Sequence, residues 1–466
     1  GFSQVGSSAT MRVLFVTPEC APLAKAGGLG DVSAALPAAL RALGHEVDLL
    51  LPGYSEVLGK LPDAAETERF SELGFECRLL RSGGLLLIDC APLYRREGSP
   101  YQDPGGSDWP DNALRFGLLS KVAARLAPRY DVVHCNDWPA ALAPAYAHPE
   151  KTLLTIHNLA FQGNFDPSAL GRLGLPDALF TMQGLEFHGR VSFLKGGLVY
   201  AGALNTVSPS YAREIQTEEL GCGLDGVLRG RRDALSGILN GIDLEVWDPA
   251  RDAHLAQRYD ERSLDKKSVN KAALQRRLNL EPSDDALIGF VGRLTHQKGA
   301  DLIAAAAAEL AALPAQLAVL GRGERELEGV LAAAAARHPG RIALAIGFNE
   351  ELAHLIEAGA DLFVMPSRFE PCGLNQMYSQ RYGTPPVVRA TGGLADTVAD
   401  NETGFLFERA ESSALAAAVR RALAARRDPG RWREIQRAGM RRDFSWRAAA
   451  RRYADLYSRL ATAPGR

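Results

Sequence analysis

The sequence predicts two α/β domains, each a doubly wound parallel sheet, from three observations. Short apolar runs closing on polar residues alternate with helical patterns, this alternation occurs twice, and 466 residues exceed what one hydrophobic core organises.

The first series opens at Met11. Arg12 to Val16 reads as a strand, a Gly/Pro-rich loop follows, and a helical pattern runs from Asp31 through Leu43. Val47 to Leu51 ends at Pro52, and Val132 to Val133 and Leu153 to Ile156 each close on polar residues, as buried parallel strands do. The second series begins at Ala286 to Val291, with a helix from about Ala300. Leu317 to Leu320, Ile342 to Ile346, Leu362 to Met365, Val387 to Val388 and Phe405 to Phe407 continue it.

Between the two series, Asp243 to Pro282 is charged and carries no strand pattern, while the Arg- and Ala-rich stretch Trp446 to Leu460 reads as a closing helix. The domains are therefore expected at 11–245 and 246–443, with 444–466 a terminal helix packing back on the first. Residues 1–10, small and polar before the first methionine, read as a vector-derived remnant rather than a targeting peptide.

Composition excludes several classes of function. A hydrophobic fraction of 46% with 23% charged residues is ordinary for a globular protein, and a net charge of -2 supplies no basic stripe for nucleic acid. The six cysteines (Cys20, Cys77, Cys90, Cys135, Cys222, Cys372) are scattered without a C-x-x-C pair or zinc-like spacing, which suits reduced thiols in the cytoplasm. No apolar stretch approaches the roughly 20 residues that span a bilayer, so no membrane association is expected.

Ligands of open α/β sheets bind beyond the carboxyl ends of the strands, and two such domains facing each other would enclose a cleft there. Lys25-Ala26-Gly27-Gly28-Leu29-Gly30-Asp31 sits at such an end, where amides at a helix start can meet a phosphate and Lys25 adds a cation. A glycine turn with a solvated lysine reads equally well on position alone. Arg293 and Lys298, in Gly292 to Gly299, follow the first strand of the second series. Cations at a helix start oppose the helix dipole, and an anionic ligand such as a diphosphate resolves that conflict.

Glu370, in Ser367 to Gln376, follows another strand and can accept sugar hydroxyls, though it is also an ordinary acid before a helix. Thr391-Gly392-Gly393 joins a third strand to a helix and offers further backbone amides. In the first domain, His134 to Trp138, including Asp137, and Thr155 to Asn158, including His157, end strands with polar groups suited to sugar hydroxyls. Either histidine alone reads as structural. Gly221 to Gly226 has dinucleotide spacing but follows no strand, Gly59-Lys60 lacks P-loop spacing, and no Asp-x-Asp pair is present to hold a catalytic metal.

Taken together, Lys25 to Asp31, His157-Asn158, Asn240 to Asp243, Arg293 to Gly299, Phe369 to Asn375 and Thr391 to Asp396 resemble the bacterial glycogen and plant starch synthases in order and spacing, from Met11 nearly to the end. The resemblance implies a GT-B fold of two Rossmann-like domains across a deep cleft, the first on the acceptor side and the second binding ADP-glucose. It implies retaining transfer of glucose to the non-reducing end of an α-1,4-glucan such as glycogen, with no cofactor and no metal. Arg293 and Lys298 would neutralise the diphosphate, helped by Gly27 and Gly28 with Lys25 nearby. Glu370, Asn240, His157, Gly392 and Gly393 would hold glucose hydroxyls, and Asp137 would lie on the acceptor side. Cys372, Gly373, Leu374 and Thr391 would complete the donor site. Phe348 stands where the family usually carries a tyrosine stacked on adenine, and Tyr378 stands where many related transferases carry a second glutamate.

A UDP-glucose transferase such as a sucrose or trehalose-phosphate synthase, a non-catalytic glucan-binding protein, and a nucleotide-sugar epimerase remain alternatives at this point. Oligomeric state leaves no readable trace.

Overall fold

The computed structural model describes residues 9–463, so the N-terminal stretch set aside above lies outside the described residues up to residue 8. The chain divides into two compact units. One ends at Asn240 and takes in the helix beginning at Trp446; the other spans Gly241–Ser445.

The first unit is built on a nine-stranded sheet, order β12-β11-β7-β6-β1-β2-β5-β4-β3. Its strands are β1 (Arg12–Val16), β2 (Glu46–Pro52), β3 (Ala65–Glu72), β4 (Phe75–Ser82), β5 (Leu85–Asp89), β6 (Val132–Asn136), β7 (Thr152–Ile156), β11 (Ala203–Thr206) and β12 (Leu235–Gly237). Between β7 and β11 the chain forms a three-stranded sheet of β8 (Asn164–Phe165), β9 (Glu186–Phe187) and β10 (Arg190–Ser192). From β12 to β5 neighbouring strands run parallel. Because β1, β6 and β7 are neighbours, their carboxyl ends reach one sheet edge.

The expectation of a wholly parallel sheet is corrected at the far end, where β3, β4 and β5 pair antiparallel. The cause lies in the side chains. β3, exposed at most of its positions, carries Glu66, Glu68 and Arg69, and β4 carries Arg78 and Arg81; such a partly solvated edge suits antiparallel strands and not a doubly covered parallel strand. Arg78 reaches Glu66 across the strands at 3.3 Å. The sequence reading found no strand here because charge interrupts the apolar runs, and the two- and three-residue strands of the small sheet are too short to show a period.

The helix Trp446–Thr462 belongs to the first unit and is anchored by a buried polar network. His134 bonds Tyr457 Oη through Nδ1 and Thr155 Oγ1 through Nε2, both at 2.6 Å, and Asn205 donates to Tyr453 Oη at 3.1 Å. Burial pulls the His134 pKa down to about 3, so the ring is neutral, donating from one nitrogen and accepting a hydroxyl proton at the other. His134 is a structural residue, one of the two readings the sequence left open.

The second unit carries a six-stranded sheet, order β15-β14-β13-β16-β17-β18, parallel throughout. Its strands are β13 (Ala286–Val291), β14 (Ala315–Gly321), β15 (Ile342–Ile346), β16 (Leu362–Met365), β17 (Pro386–Arg389) and β18 (Phe405–Phe407). The apolar runs read from the sequence lie within these strands. Central β13, β14 and β16 are almost completely buried, as strands covered by helices on both faces must be. The loops after β13, β15, β16 and β17 all leave from one edge, and they carry the sequence motifs.

Candidate active site

In the second unit the loop after β13 and the loop after β16 are docked on each other by their backbones. Arg368 N donates to Gln297 O at 2.8 Å, and Asn375 Nδ2 donates to Val291 O at 3.1 Å. Gly299 makes the approach possible. It sits at φ 74°, and a Cβ there would lie 2.2 Å from Pro366 O, so only glycine fits. Arg368 is held by a two-pronged pair with Asp301 at 2.7 and 2.8 Å, and Arg389 donates to the Ser367 carbonyl at 2.9 Å.

This scaffold brings Lys298 and Glu370, 72 residues apart, into direct contact. Lys298 Nζ donates to Glu370 Oε2 at 2.6 Å, and Ser367 Oγ donates to the same oxygen at 3.1 Å. Glu370 is 5% exposed, and its Oε1 has no hydrogen-bond partner among the described residues. Arg293 is exposed at the same loop, with no hydrogen bond or ion pair to its guanidinium among the described residues. Phe348, after β15, is 77% exposed, a large apolar ring presented to water. A cation, an ion-paired buried carboxylate with one open oxygen, and an exposed ring can receive a diphosphate, a hydroxyl and a planar base.

The turn after β17 differs from expectation. Gly393 N already donates to Glu370 O at 3.0 Å, so its amide is engaged inside the protein. The glycines serve close approach instead, since a Cβ on Gly392 would lie 1.9 Å from Glu370 O and one on Gly393 2.0 Å from Cys372 O. Thr391, Cys372 and Glu370 are thereby packed together and buried, with Gly373 at φ 78° and Leu374 at the start of the helix Asn375–Arg381. Tyr378 on that helix stacks on Trp247 at 3.9 Å.

In the first unit, Lys25, Gly27 and Gly28 stand at the start of the helix Gly28–Ala42. Here too an amide is engaged. The 2% exposed Glu19 accepts from Gly27 N and Gly30 N, both at 2.9 Å, through Oε1, and from Tyr101 Oη at 2.7 Å through Oε2. A carboxylate thus occupies the helix end where the sequence suggested a phosphate; Gly28, the first helical residue, keeps the orphan N–H of every helix start. Lys25 pairs with Asp31 at 2.8 Å, and both are about half exposed, a surface pair worth about 0–1 kcal/mol that an anion can displace.

At the ends of β6 and β7, Asp137 and His157 meet. Asp137 has φ 58°, a left-handed conformation uncommon outside glycine, and its Oδ1 accepts from His157 N at 2.7 Å. Burial pushes its carboxyl up to about 7, against the lowering effect of the His157 and Asn158 amides. Burial pulls His157 down to about 3. Asn136 Nδ2 donates to Val16 O, so its Oδ1 must accept from His157 Nε2–H at 3.0 Å, which fixes the tautomer with the Nδ1 lone pair open. Asn240 Oδ1 is buried without a partner among the described residues, an unmet acceptor of the kind a ligand hydroxyl satisfies.

Glu19 and Tyr101 escaped the sequence reading, and Asn136 and Ser367 lay within its motifs without a role of their own. Each is a lone polar residue whose partner is a strand end or loop set by the fold. Only the position of Glu19, three residues beyond the end of β1, offered a signal.

Residues 12–230 match the starch synthase catalytic domain, and residues 272–438 match glycosyl transferases group 1. The chain is 54% identical to the glycogen synthase of Aromatoleum aromaticum over 98% of both chains. It is 50% identical to the glycogen synthase of Nitrosomonas eutropha over 97% of this chain and 96% of that one. The catalytic domain of starch synthase IV from Arabidopsis thaliana, bound to ADP and acarbose, is similar with a TM-score of 0.82 at 31% identity, over 98% of this chain and 100% of that one. Sucrose-phosphate synthase from Thermosynechococcus elongatus, at TM-score 0.59 and 21% identity over 97% and 99% of the two chains, shares the fold.

Proposed function

The chain belongs to the glycogen and starch synthase family, and from that premise we infer that it transfers glucose from ADP-glucose to an α-1,4-glucan. Its fold is GT-B, with the nine- and six-stranded sheets as the two halves.

The single observation that carries the site assignment is the loop pair of the second unit, which joins Lys298 to the buried Glu370 beside the exposed Arg293. Arg293 and Lys298 bind the diphosphate, where negative charge grows as the bond from glucose C1 to phosphate oxygen breaks and ADP leaves with the electron pair. Glu370 Oε1 accepts a glucose hydroxyl, and Phe348 stacks on adenine. The non-reducing 4-hydroxyl of the acceptor bonds to C1 on the same face, and its proton passes to the departing phosphate, so configuration is retained.

His157, Asn240 and Asp137 of the first unit hold sugar hydroxyls, Asp137 on the acceptor side. Lys25 with Gly27 and Gly28 is assigned to the donor by the family resemblance, and Cys372, Gly373, Leu374, Thr391, Gly392 and Gly393 shape the donor pocket of the second unit. The similarity to a starch synthase bound to ADP and acarbose supports both the nucleotide and the glucan as ligands. Six free thiols suit a cytoplasmic enzyme, and among the described residues no helix is long and apolar enough to cross a membrane.

The test is glucose incorporation into glycogen from labelled ADP-glucose and, in parallel, UDP-glucose. Transfer should be strong from ADP-glucose and weak from UDP-glucose. The reverse order would reassign the donor, and no transfer from either would overturn the reading.

Asp137 supplies a pH signature. Its carboxyl is neutral below about 7 and ionised above, so activity that depends on the carboxylate should rise with pH through that value. Stability should run the other way. A folded pKa raised above the unfolded 3.8 contributes stability at low pH that is lost as pH rises through about 7. Asp137→Asn keeps a side chain that tolerates positive φ and an oxygen for His157 N–H, so the variant should fold, lose the activity inflection and flatten the stability profile. An unchanged pH–rate profile in that variant would remove Asp137 from the reaction.

A further inference from the structure

We propose that His254, Glu350 and His354 of the second unit form a site for a divalent transition-metal ion of the zinc type, beside the helix that follows the Phe348 loop. Their ligating atoms, one from each residue, all lie within 4.8 Å of one another.

His354 is the built part of the site. It lies on the helix Glu350–Gly359, is 1% exposed, and stacks on Trp247 with centroids 3.8 Å apart and planes 8° from parallel. Its Nδ1 donates to Asp252 Oδ2 at 2.6 Å, and Tyr382 Oη donates to the same oxygen at 2.5 Å. The contact of Nδ1 with Asp252 leaves Nε2 as the ring atom facing the site, and that atom is buried with no hydrogen-bond partner among the described residues. The nearest carboxylate, Glu350 Oε1, stands 3.8 Å away, too far for a hydrogen bond.

A buried ring nitrogen without a partner is costly, and a metal cation is a partner to which an imidazole nitrogen beside a carboxylate can donate its lone pair. The Asp252–His354 bond is the carboxylate–histidine arrangement that orients an imidazole toward a metal. Asp252 also places the second histidine, since its Oδ1 accepts from His254 N at 2.9 Å and brings the His254 ring to 4.6 Å from His354.

Neighbouring ligands of a tetrahedral ion with bonds near 2.1 Å stand about 3.4 Å apart. Closing from 4.8 Å requires only rotation of His254 and Glu350, both exposed. Two imidazoles and one carboxylate suit zinc or cobalt rather than calcium or magnesium, which take oxygen ligands, and leave a fourth position to water.

The test uses the full chain, stripped with a chelator and titrated with Zn²⁺ by calorimetry and with Co²⁺ by visible absorption. One equivalent should bind, with the absorption of four-coordinate Co²⁺ and a rise in Tm as Zn²⁺ is added. His254→Ala and Glu350→Gln, exposed positions that leave the fold intact by circular dichroism, should each weaken binding about tenfold or more, and the double variant should abolish it. No stoichiometric binding would overturn the proposal. So would binding that survives in the double variant, or that disappears on thiol alkylation, which would assign the metal to cysteines.

Discussion

Arg293→Ala and Lys298→Ala should each lower transfer from ADP-glucose about a hundredfold, roughly 3 kcal/mol of transition-state stabilisation, but only Lys298→Ala should also lower stability. The two cations differ in what they leave behind. Arg293 is exposed with no intramolecular partner among the described residues, so its removal takes nothing from the fold. Lys298 neutralises Glu370, which is 5% exposed and whose carboxylate has one other donor among the described residues, Ser367 Oγ. Removing it strands a buried carboxylate. Because the Lys298 side chain is itself 21% exposed, the cost should fall below the 3–5 kcal/mol of a fully buried pair, on the order of 2 kcal/mol. Glucose incorporation and urea midpoints measured on both variants separate the roles. Lys298→Ala with Glu370→Gln should recover the midpoint without recovering the rate, because the second change removes the stranded charge and not the need for a cation at the phosphate. A rate restored in that double variant would remove both Lys298 and the Glu370 carboxylate from the reaction.

That dual role is a measure of what the sequence could and could not say. The repeating alternation of apolar runs and helices located every strand of the second sheet, because a strand buried on both faces must be continuously apolar. The same rule hid β3 and β4, whose charged and partly solvated residues antiparallel pairing permits. Arg293, Lys298 and Glu370 were legible because they follow strands whose carboxyl ends share an edge. Their internal partners were not. The Gly27 and Gly393 amides looked like ligand groups, since glycine before a helix signals an open N–H; that Glu19 and the Glu370 carbonyl already receive them depends on residues brought in by the fold. Glycine in a sequence announces close approach of a backbone without saying to what.

Gly393→Ala tests that last point and should be among the most damaging single-atom changes in the protein. The residue has no left-handed backbone, so an alanine meets no conformational penalty of its own, and any effect comes from the added Cβ. That carbon would sit 2.0 Å from Cys372 O, a backbone atom that cannot rotate away, so the loop Glu370–Cys372 and the start of the helix Gly392–Thr397 must separate. Overpacking of this kind costs about 1–3 kcal/mol or more, and it breaks the bond from Gly393 N to Glu370 O. The displacement falls on the residue whose carboxylate is assigned to the sugar. A shift of about 1 Å in a positioning group is enough to reduce rate about a hundredfold, so kcat/KM for ADP-glucose should fall by that factor while Tm drops by several degrees. Gly430→Ala, whose Cβ would be 3.5 Å from its nearest neighbour, is the control and should change neither. If Gly393→Ala lost stability but kept its kcat/KM, the turn would be a structural joint alone, and the position of Glu370 would not depend on it.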